Sequence, residues 1–433
     1  MKGFIFTYLL AYGGSVLALF NPFYGFLAYV CLAVVRPNAM WHWAGLGFVG
    51  YSRYLAICIL LGWAFHGFGR WKMNNAKGIG IALLGFWIWS VLSALNAYNG
   101  DVAWNFVYVV GKIILPVLVA LTLIDSIHKL KLLAWVLLLS QGYVAFEMNL
   151  SYYQGYNRMY TGLGGYDNNM MAITMVAGIG ISIFLGFASE KSWKRILAWG
   201  AGLLMAHSVM LSYSRGGLLA LICLVLSSFF LLPRKTPKHI LIFIILLAIG
   251  FRLAGPSVVD RFMTSFADQE GRDPSATSRL ELWKDNWDAM LKHPILGVGP
   301  DHWALISHQY GWPPGKEGHS LWLQIGAELG IPGLVFLFLF YGLCLLRLSR
   351  LILKKNNGYD PWIGHVARMV IASNIGFILA AQFVSVEALE IPYFVNILGA
   401  GALKLMPVNL TQRATMHDTP IFDRENPLAM SKI

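Results

Sequence analysis

Apolar runs long enough to cross a bilayer recur along the whole chain, near 4–35, 54–69, 78–96, 104–124, 129–148, 169–187, 193–211, 216–232, 238–254, 320–346, 361–385 and 391–406. A spanning helix needs about 17–25 such residues. In lipid every backbone N–H and C=O must be paired within the structure, which leaves only helices or a closed barrel. These runs are continuous and rich in Leu, Ile and Val, without the period-two alternation of barrel strands. The pattern predicts an all-α polytopic transmembrane helical bundle of about twelve spans.

Composition supports that reading. The 433 residues are 57% hydrophobic and 12% charged, with a mean hydropathy of +0.59. Soluble domains carry about 25% charged residues. The net charge of +12 could suggest nucleic acid, but the cations sit in short clusters between apolar runs. Arg70/Lys72/Lys77, Lys129/Lys131, Lys191/Lys194/Arg195, Arg234/Lys235/Lys238 and Arg347/Arg350/Lys354/Lys355 fall at alternate ends of successive spans. The positive-inside rule assigns that side to the cytoplasm and the intervening loops to the outside. A cytoplasmic N-terminus then needs an odd number of crossings before residue 36, which a segment broken at Asn21-Pro22 could satisfy. The opening residues read as an uncleaved first span. Cys31, Cys58, Cys223 and Cys344 all lie in apolar runs, which argues against a disulfide framework or a zinc site.

One stretch breaks the pattern and divides the chain. The pattern predicts residues 1–254 and 320–406 to be transmembrane, 255–319 a large outward loop and 407–433 a polar cytoplasmic tail. The loop holds nine of the 21 acidic residues against six basic ones. A loop this long in a membrane protein is usually functional. Its middle, SATSRLELWKDNWDAMLKHP, reads as an amphipathic helix with Leu280, Trp283, Trp287 and Leu291 on its apolar face.

Three outward pieces carry candidate chemistry. In Ser212-Tyr213-Ser214-Arg215-Gly216-Gly217, serines can cap the following helix, and glycines can leave its first-turn N–H groups open. A helix N-terminus with an arginine suits an anion, phosphate above all. The plain alternative is a turn whose arginine snorkels to lipid headgroups. The second piece is Ser278-Arg279 with the helix to Trp287, followed by His293-Pro294-Ile295-Leu296-Gly297-Val298-Gly299. Arg279 can reach outward to an anion, or simply pair with Glu281 or Asp285 on a solvated face. The third runs from Gly318-His319-Ser320 through Gln324, Gly326 and Glu328 to Gly330. A histidine at a helix start on the outer face titrates near neutrality and can serve as a base, or can be merely interfacial. Glu328 lies nine residues on, on the opposite helix face and roughly 13 Å deeper. It suits bundle contacts with Gln324 rather than orienting His319, and Gly326/Gly330 suit close helix packing.

Together these pieces resemble the O-antigen ligase and O-antigen polymerase superfamily of bacterial envelope enzymes. Its hallmarks are an S-R-G turn, an S-R…W segment with H-P-x-x-G-x-G, and an H-[NS]-x-x-L-Q-x-x-x-E-x-G helix start. Here they read Ser214-Arg215-Gly216, Ser278-Arg279 with Trp283 and His293 to Gly299, and His319-Ser320 through Glu328-Gly330. The resemblance covers about residues 200–330 and leans toward the lipopolysaccharide ligases and related O-glycosylation ligases. It implies a C-type glycosyltransferase, metal-independent and without cofactor, in the bacterial inner membrane with its site facing the periplasm. The donor would be a glycan on undecaprenyl pyrophosphate and the acceptor a hydroxyl of lipid A-core. Arg215 and Arg279 would stabilise the pyrophosphate, and His319 would be the general base. Ser214, Gly216, Trp283, Trp287 and His293 would contact substrate.

Few acidic residues compete for these roles: five precede residue 255, with no paired carboxylates. Asp268, Glu270 and Asp273 could hold a cation, but a solvated loop explains them as well. Two other enzymes use the same donor, the polymerase and a protein O-glycosylation ligase. A transporter or flippase would also have a dozen spans, but should show inverted repeats or ionisable groups near the midplane. Lys112, Glu147, Glu328 and Arg368 are the few candidates.

Overall fold

The computed structural model describes residues 2–42, 50–233, 274–353 and 359–406, with a few positions between 235 and 252. The apolar segment at 238–254, the acidic residues Asp268, Glu270 and Asp273, and the tail 407–433 lie wholly or largely outside the described residues. Among the described residues there is no β-strand, only an isolated bridge between Leu163 and Tyr166.

Eight described helices are long and apolar enough to span a membrane. They include α1 (Gly3–Phe20), α2 (Pro22–Val35, continuing through Met40), α5 (Gly100–Leu123) and α6 (Ile127–Tyr153). The others are α4 (Lys77–Ala94), α7 (Asn168–Ala188), α11 (Leu321–Leu353) and α12 (Pro361–Ala380). Between them stand α3 (Tyr51–Phe65), α8 (Ser192–Leu211), α9 (Arg215–Leu231) and α13 (Glu390–Leu405). The amphipathic helix of the long loop is α10 (Pro274–Lys292). The protein is an all-α, multi-pass membrane protein.

The N-terminal segment differs from expectation. Asn21 is extended, with φ −148°, and Pro22 starts α2, so the chain reverses at a single residue. α1 and α2 pack antiparallel: a Cβ on Gly25 would meet that of Ala18 at 2.3 Å, and one on Gly14 that of Ala28 at 2.8 Å. Residues 4–35 are thus a helical hairpin with two crossings, not one broken span. Both its ends lie at one end of the bundle, where Phe6 packs edge-on against Trp41 at 5.5 Å. There Arg36 stacks on Tyr166 at 3.6 Å and donates to the Gly164 carbonyl at 2.9 Å. The N-terminus therefore sits at the end opposite the basic clusters.

Where the structure describes them, members of those clusters share the other end. Asp125 pairs with Lys129 at 3.0 Å and approaches Arg70 at 3.9 Å. Lys404 donates to the carbonyls of Leu121 (2.6 Å) and Thr122 (2.9 Å), Asn74 donates to Lys404 O, and Arg347 donates to Asn75 O. Inside the bundle, small residues bring α7 into contact with α8 and α12: Gly202 meets Ser182, and Gly180 meets Ser373. Buried amides link the inner helices, Asn374 donating to Asn396 at 3.0 Å and Asn396 to Phe340 O at 2.9 Å.

Candidate active site

The site is built at the end away from the basic clusters, starting from two helix N-termini. Tyr213 takes a left-handed turn (φ 54°) that ends α8, and Ser214 caps α9 by accepting from Gly217 N at 3.1 Å. Asp167 caps α7 by accepting from Met170 N at 2.7 Å. The caps are tied together: Asn168 donates to Ser212 O at 3.0 Å, and Ser214 Oγ donates to Asn169 Oδ1 at 2.7 Å. Arg215 is the first residue of α9, half-buried. The glycines after it serve packing as well as access. A Cβ on Gly216 would lie 2.9 Å from Phe383, and one on Gly217 2.6 Å from Ala172.

Phe383 links that start to α10, its ring 5.9 Å from that of Trp283. Trp283 in turn donates to the His319 carbonyl at 3.3 Å. The buried face of α10 is not the one the sequence suggests. Leu282, Asn286, Ala289 and Met290 are buried, whereas Leu280, Trp287 and Leu291 are about half exposed. Small and slender side chains let α10 approach α11, where Gly326 receives Met290 Sδ; bulky groups are turned away. Arg279 sits on the same side of the helix as Asn286 and Met290, seven and eleven residues on. Asp285 accepts from Trp312 Nε1 at 2.8 Å. Trp287 is 51% exposed, and His293 exposes its ring while its carbonyl accepts from Gly297 N at 3.0 Å.

The His293–Gly299 turn is a clamp on α11. Gly297 and Gly330 both have φ 69°, and a Cβ on either would collide with backbone, at 2.2 Å from Glu328 O and 2.3 Å from Ile295 O respectively. Val298 N donates to Ala327 O (2.9 Å), Gly299 N to Glu328 O (3.0 Å) and Ile331 N to Pro294 O (2.8 Å). The loop thus takes the carbonyls and N–H that the helix frees where it breaks at Gly330. Gly330 is a helix break rather than one half of a small-residue packing pair. Nor are Gln324 and Glu328 simply bundle contacts. The buried Glu328 carboxylate accepts from Asp301 N (3.0 Å), Trp303 N (3.2 Å) and Gln324 Nε2 (3.1 Å). Gln324 Oε1 accepts from Gly318 N at 2.9 Å and from Ser385 Oγ. One relay therefore fixes the residue just before His319, though Glu328 is too deep to touch the imidazole.

His319 itself is strained into a left-handed conformation (φ 49°). Burial, then the charges of Arg279 and Lys316, lower its pKa to about 4, against a partial lift from Asp167. It does not titrate near neutrality as the sequence suggested: at pH 7 the imidazole is neutral and able to accept a proton. Carboxylates surround this point. Asp167 and Asp301 act on Glu317, Glu317 and Asp301 act on Glu387, and burial pushes Glu387 above the ordinary carboxylate range. The structure thus brings Arg279 and His319 together and puts Arg215 on an adjoining helix start. Sequence reasoning missed Asp167, Asn169, Phe383, Ser385 and Glu387. Only Asp167-Asn168-Asn169, a cap-like run before an apolar segment, offered a signal.

This architecture defines a multi-pass helical membrane protein that gathers two arginine-bearing helix starts, a histidine and several carboxylates at one end of its bundle. Residues 200–338 match the family model described as O-Antigen ligase, in agreement with the resemblance carried by the three motifs. No curated protein matches the chain. The matched segment contains Arg215, Arg279 and His319, and supports a ligase- or polymerase-type role in O-antigen assembly.

Proposed function

We propose that the protein is an O-antigen ligase that transfers a glycan from undecaprenyl pyrophosphate to a sugar hydroxyl of lipid A-core. The reaction would run at the periplasmic face of the bacterial inner membrane, because the basic clusters occupy the opposite end. The observation that carries the reading is the pairing of Arg279 with a neutral, half-buried His319 beside the helix start at Arg215.

The chemistry follows from those groups. The acceptor oxygen attacks the anomeric carbon; the new C–O bond forms as the bond to the pyrophosphate oxygen breaks, and attack opposite the leaving group inverts the centre. The acceptor proton passes to His319, a contribution worth about 10²–10⁴ in rate. Undecaprenyl pyrophosphate leaves as an anion and needs no general acid. Its growing charge is met by Arg215, Arg279 and the positive end of α9. Because bound pyrophosphate offsets Arg279, it also strengthens His319 as a base at the moment the donor is in place. Ser214 and Gly216 shape the anion site, and Trp283, Trp287 and His293 offer faces and donors to sugars. No step requires a metal.

Purified protein given labelled lipid-linked donor and lipid A-core tests the assignment. Label on lipid A supports the ligase. A lengthened lipid-linked chain with none on lipid A would make it a polymerase, and label on a Ser/Thr peptide a protein O-glycosylation ligase. A transporter would make no product and would tolerate His319→Ala.

A further inference from the structure

Lys112 lies halfway along α5, in the apolar interior of a spanning helix. A cation there is costly and normally faces a partner or a pathway. Its side chain runs back toward Tyr108, its ammonium 4.5 Å from that ring's centroid, and the Arg53 guanidinium lies 5.7 Å from the same ring. Both cations line a cavity of about 390 Å³ between α2, α3, α4 and α5, with Tyr29, Trp87, Trp104 and Tyr108. The volume is that of a small-ligand site. The rim residues Ile57, Trp104 and Tyr108 are 45–47% exposed, so the cavity opens sideways toward lipid.

Among the described residues no carboxylate lines the cavity. Among the described residues neither Arg53 nor Lys112 has a carboxylate within salt-bridge distance. Tyr29 OH donates to the Lys112 carbonyl at 2.8 Å, which commits its proton within the bundle and leaves only a neutral oxygen near the cations. Glu390, whose charge Lys112 does influence, is engaged by the Tyr166 hydroxyl at 3.2 Å. The cavity is also separate from the site described above. α4 stands between them, Trp89 donating to Leu329 O of α11 and Trp87 to Val107 O of α5.

We infer that this cavity binds the anionic phosphate headgroup of a bilayer glycerophospholipid, in the leaflet on the active-site side. Arg53 is the third residue of α3 and lies at the headgroup end; Lys112 reaches up from below. The phosphate sits between the two cations, and an acyl chain follows the apolar wall past Ile57, Leu60 and Leu115. The site is structural or regulatory and does not depend on the identity of the transferase substrates.

The test is lipid retention, counted by native mass spectrometry on protein taken from vesicles of phosphatidylcholine and phosphatidylglycerol (3:1). The wild-type chain should keep phosphatidylglycerol in preference to phosphatidylcholine. Arg53→Gln with Lys112→Met should weaken that retention by roughly 30-fold, about fivefold per cation, whereas Lys112→Arg should keep it. Arg53→Gln alone, at a helix start, serves if the double variant does not fold. The inference is overturned if wild type shows no preference, or if folded variants retain phosphatidylglycerol like wild type. It is equally overturned if undecaprenyl pyrophosphate displaces the phospholipid stoichiometrically, since the cavity would then belong to the donor.

Discussion

Replacing Arg279 separates two effects that the structure couples, its charge on His319 and its contact with the departing pyrophosphate. His319 is active when neutral, so activity is lost as pH falls through its pKa. In the free enzyme that value is about 4, with burial the larger cause and Arg279 the second. Arg279→Gln removes the second cause only. The acid limb of kcat/KM should therefore move up from about pH 4 but stay below the ordinary 6.5, each unit representing about 1.4 kcal/mol of relieved repulsion. Turnover at pH 7.5, where the imidazole is neutral in either protein, should fall by roughly 10²–10³ because a transition-state donor is gone. Arg279→Lys keeps the charge but loses the planar fork, so its acid limb should stay near that of wild type while turnover still drops. The assay is initial-rate transfer of labelled glycan between pH 4 and 8, with folding checked at each pH by thermal unfolding. A limb that does not move in Arg279→Gln, or moves equally in Arg279→Lys, would refute the coupling.

Other changes probe separate parts. His319→Ala should reduce transfer by at least about 10²-fold with donor binding nearly intact; equal loss of both, measured by donor titration, would make it a structural residue. Arg215→Ala should weaken donor binding and turnover together, and Lys should restore only part, as read from KM and kcat. Gly297→Ala should cost roughly 2–4 kcal/mol, from a left-handed φ plus collision with Glu328 O; an unchanged unfolding midpoint in nanodiscs would contradict the clamp. EDTA should leave the initial rate unchanged, and full inhibition reversed by a divalent cation would count against the metal-free scheme.

What the sequence made legible follows from the range over which each signal acts. Apolar runs and basic clusters are local signals: the described helices fall on the predicted runs, and the described basic residues gather at one end. The break at Asn21-Pro22 was legible, but the assumption of a cytoplasmic N-terminus turned its two short helices into one crossing, where one extended residue suffices to reverse the chain. The face of α10 was misread for a different reason. Its large apolar groups, Leu280, Trp287 and Leu291, point away from α11, and burial goes to Ala289, Met290 and Asn286, whose size permits close approach. At the proposed site, Arg215, Arg279 and His319 are the residues the motifs single out. The groups that set their environment come from two other loops, Asp167 from one and Phe383 and Glu387 from the segment between α12 and α13; only the cap-like run at Asp167 left a local trace.

The same contrast explains the long spacing of the third motif. A histidine held at φ 49° on a loop over a membrane helix would wander unless its neighbours were fixed. Here Gln324 and Glu328 lie one turn apart on α11, so the helix itself sets the distance between their side chains. One end of that pair holds Gly318 N and Ser385 Oγ; the other holds Asp301 N and Trp303 N. The break at Gly330 then lets the Pro294–Gly299 turn dock onto carbonyls a continuous helix would have kept for itself. The Pro294–Trp303 segment, Gly318 and Ser385 are thereby all referenced to α11. Glu328 matters to His319 through geometry rather than charge, which is why it can lie too deep for contact and still belong to the same constellation.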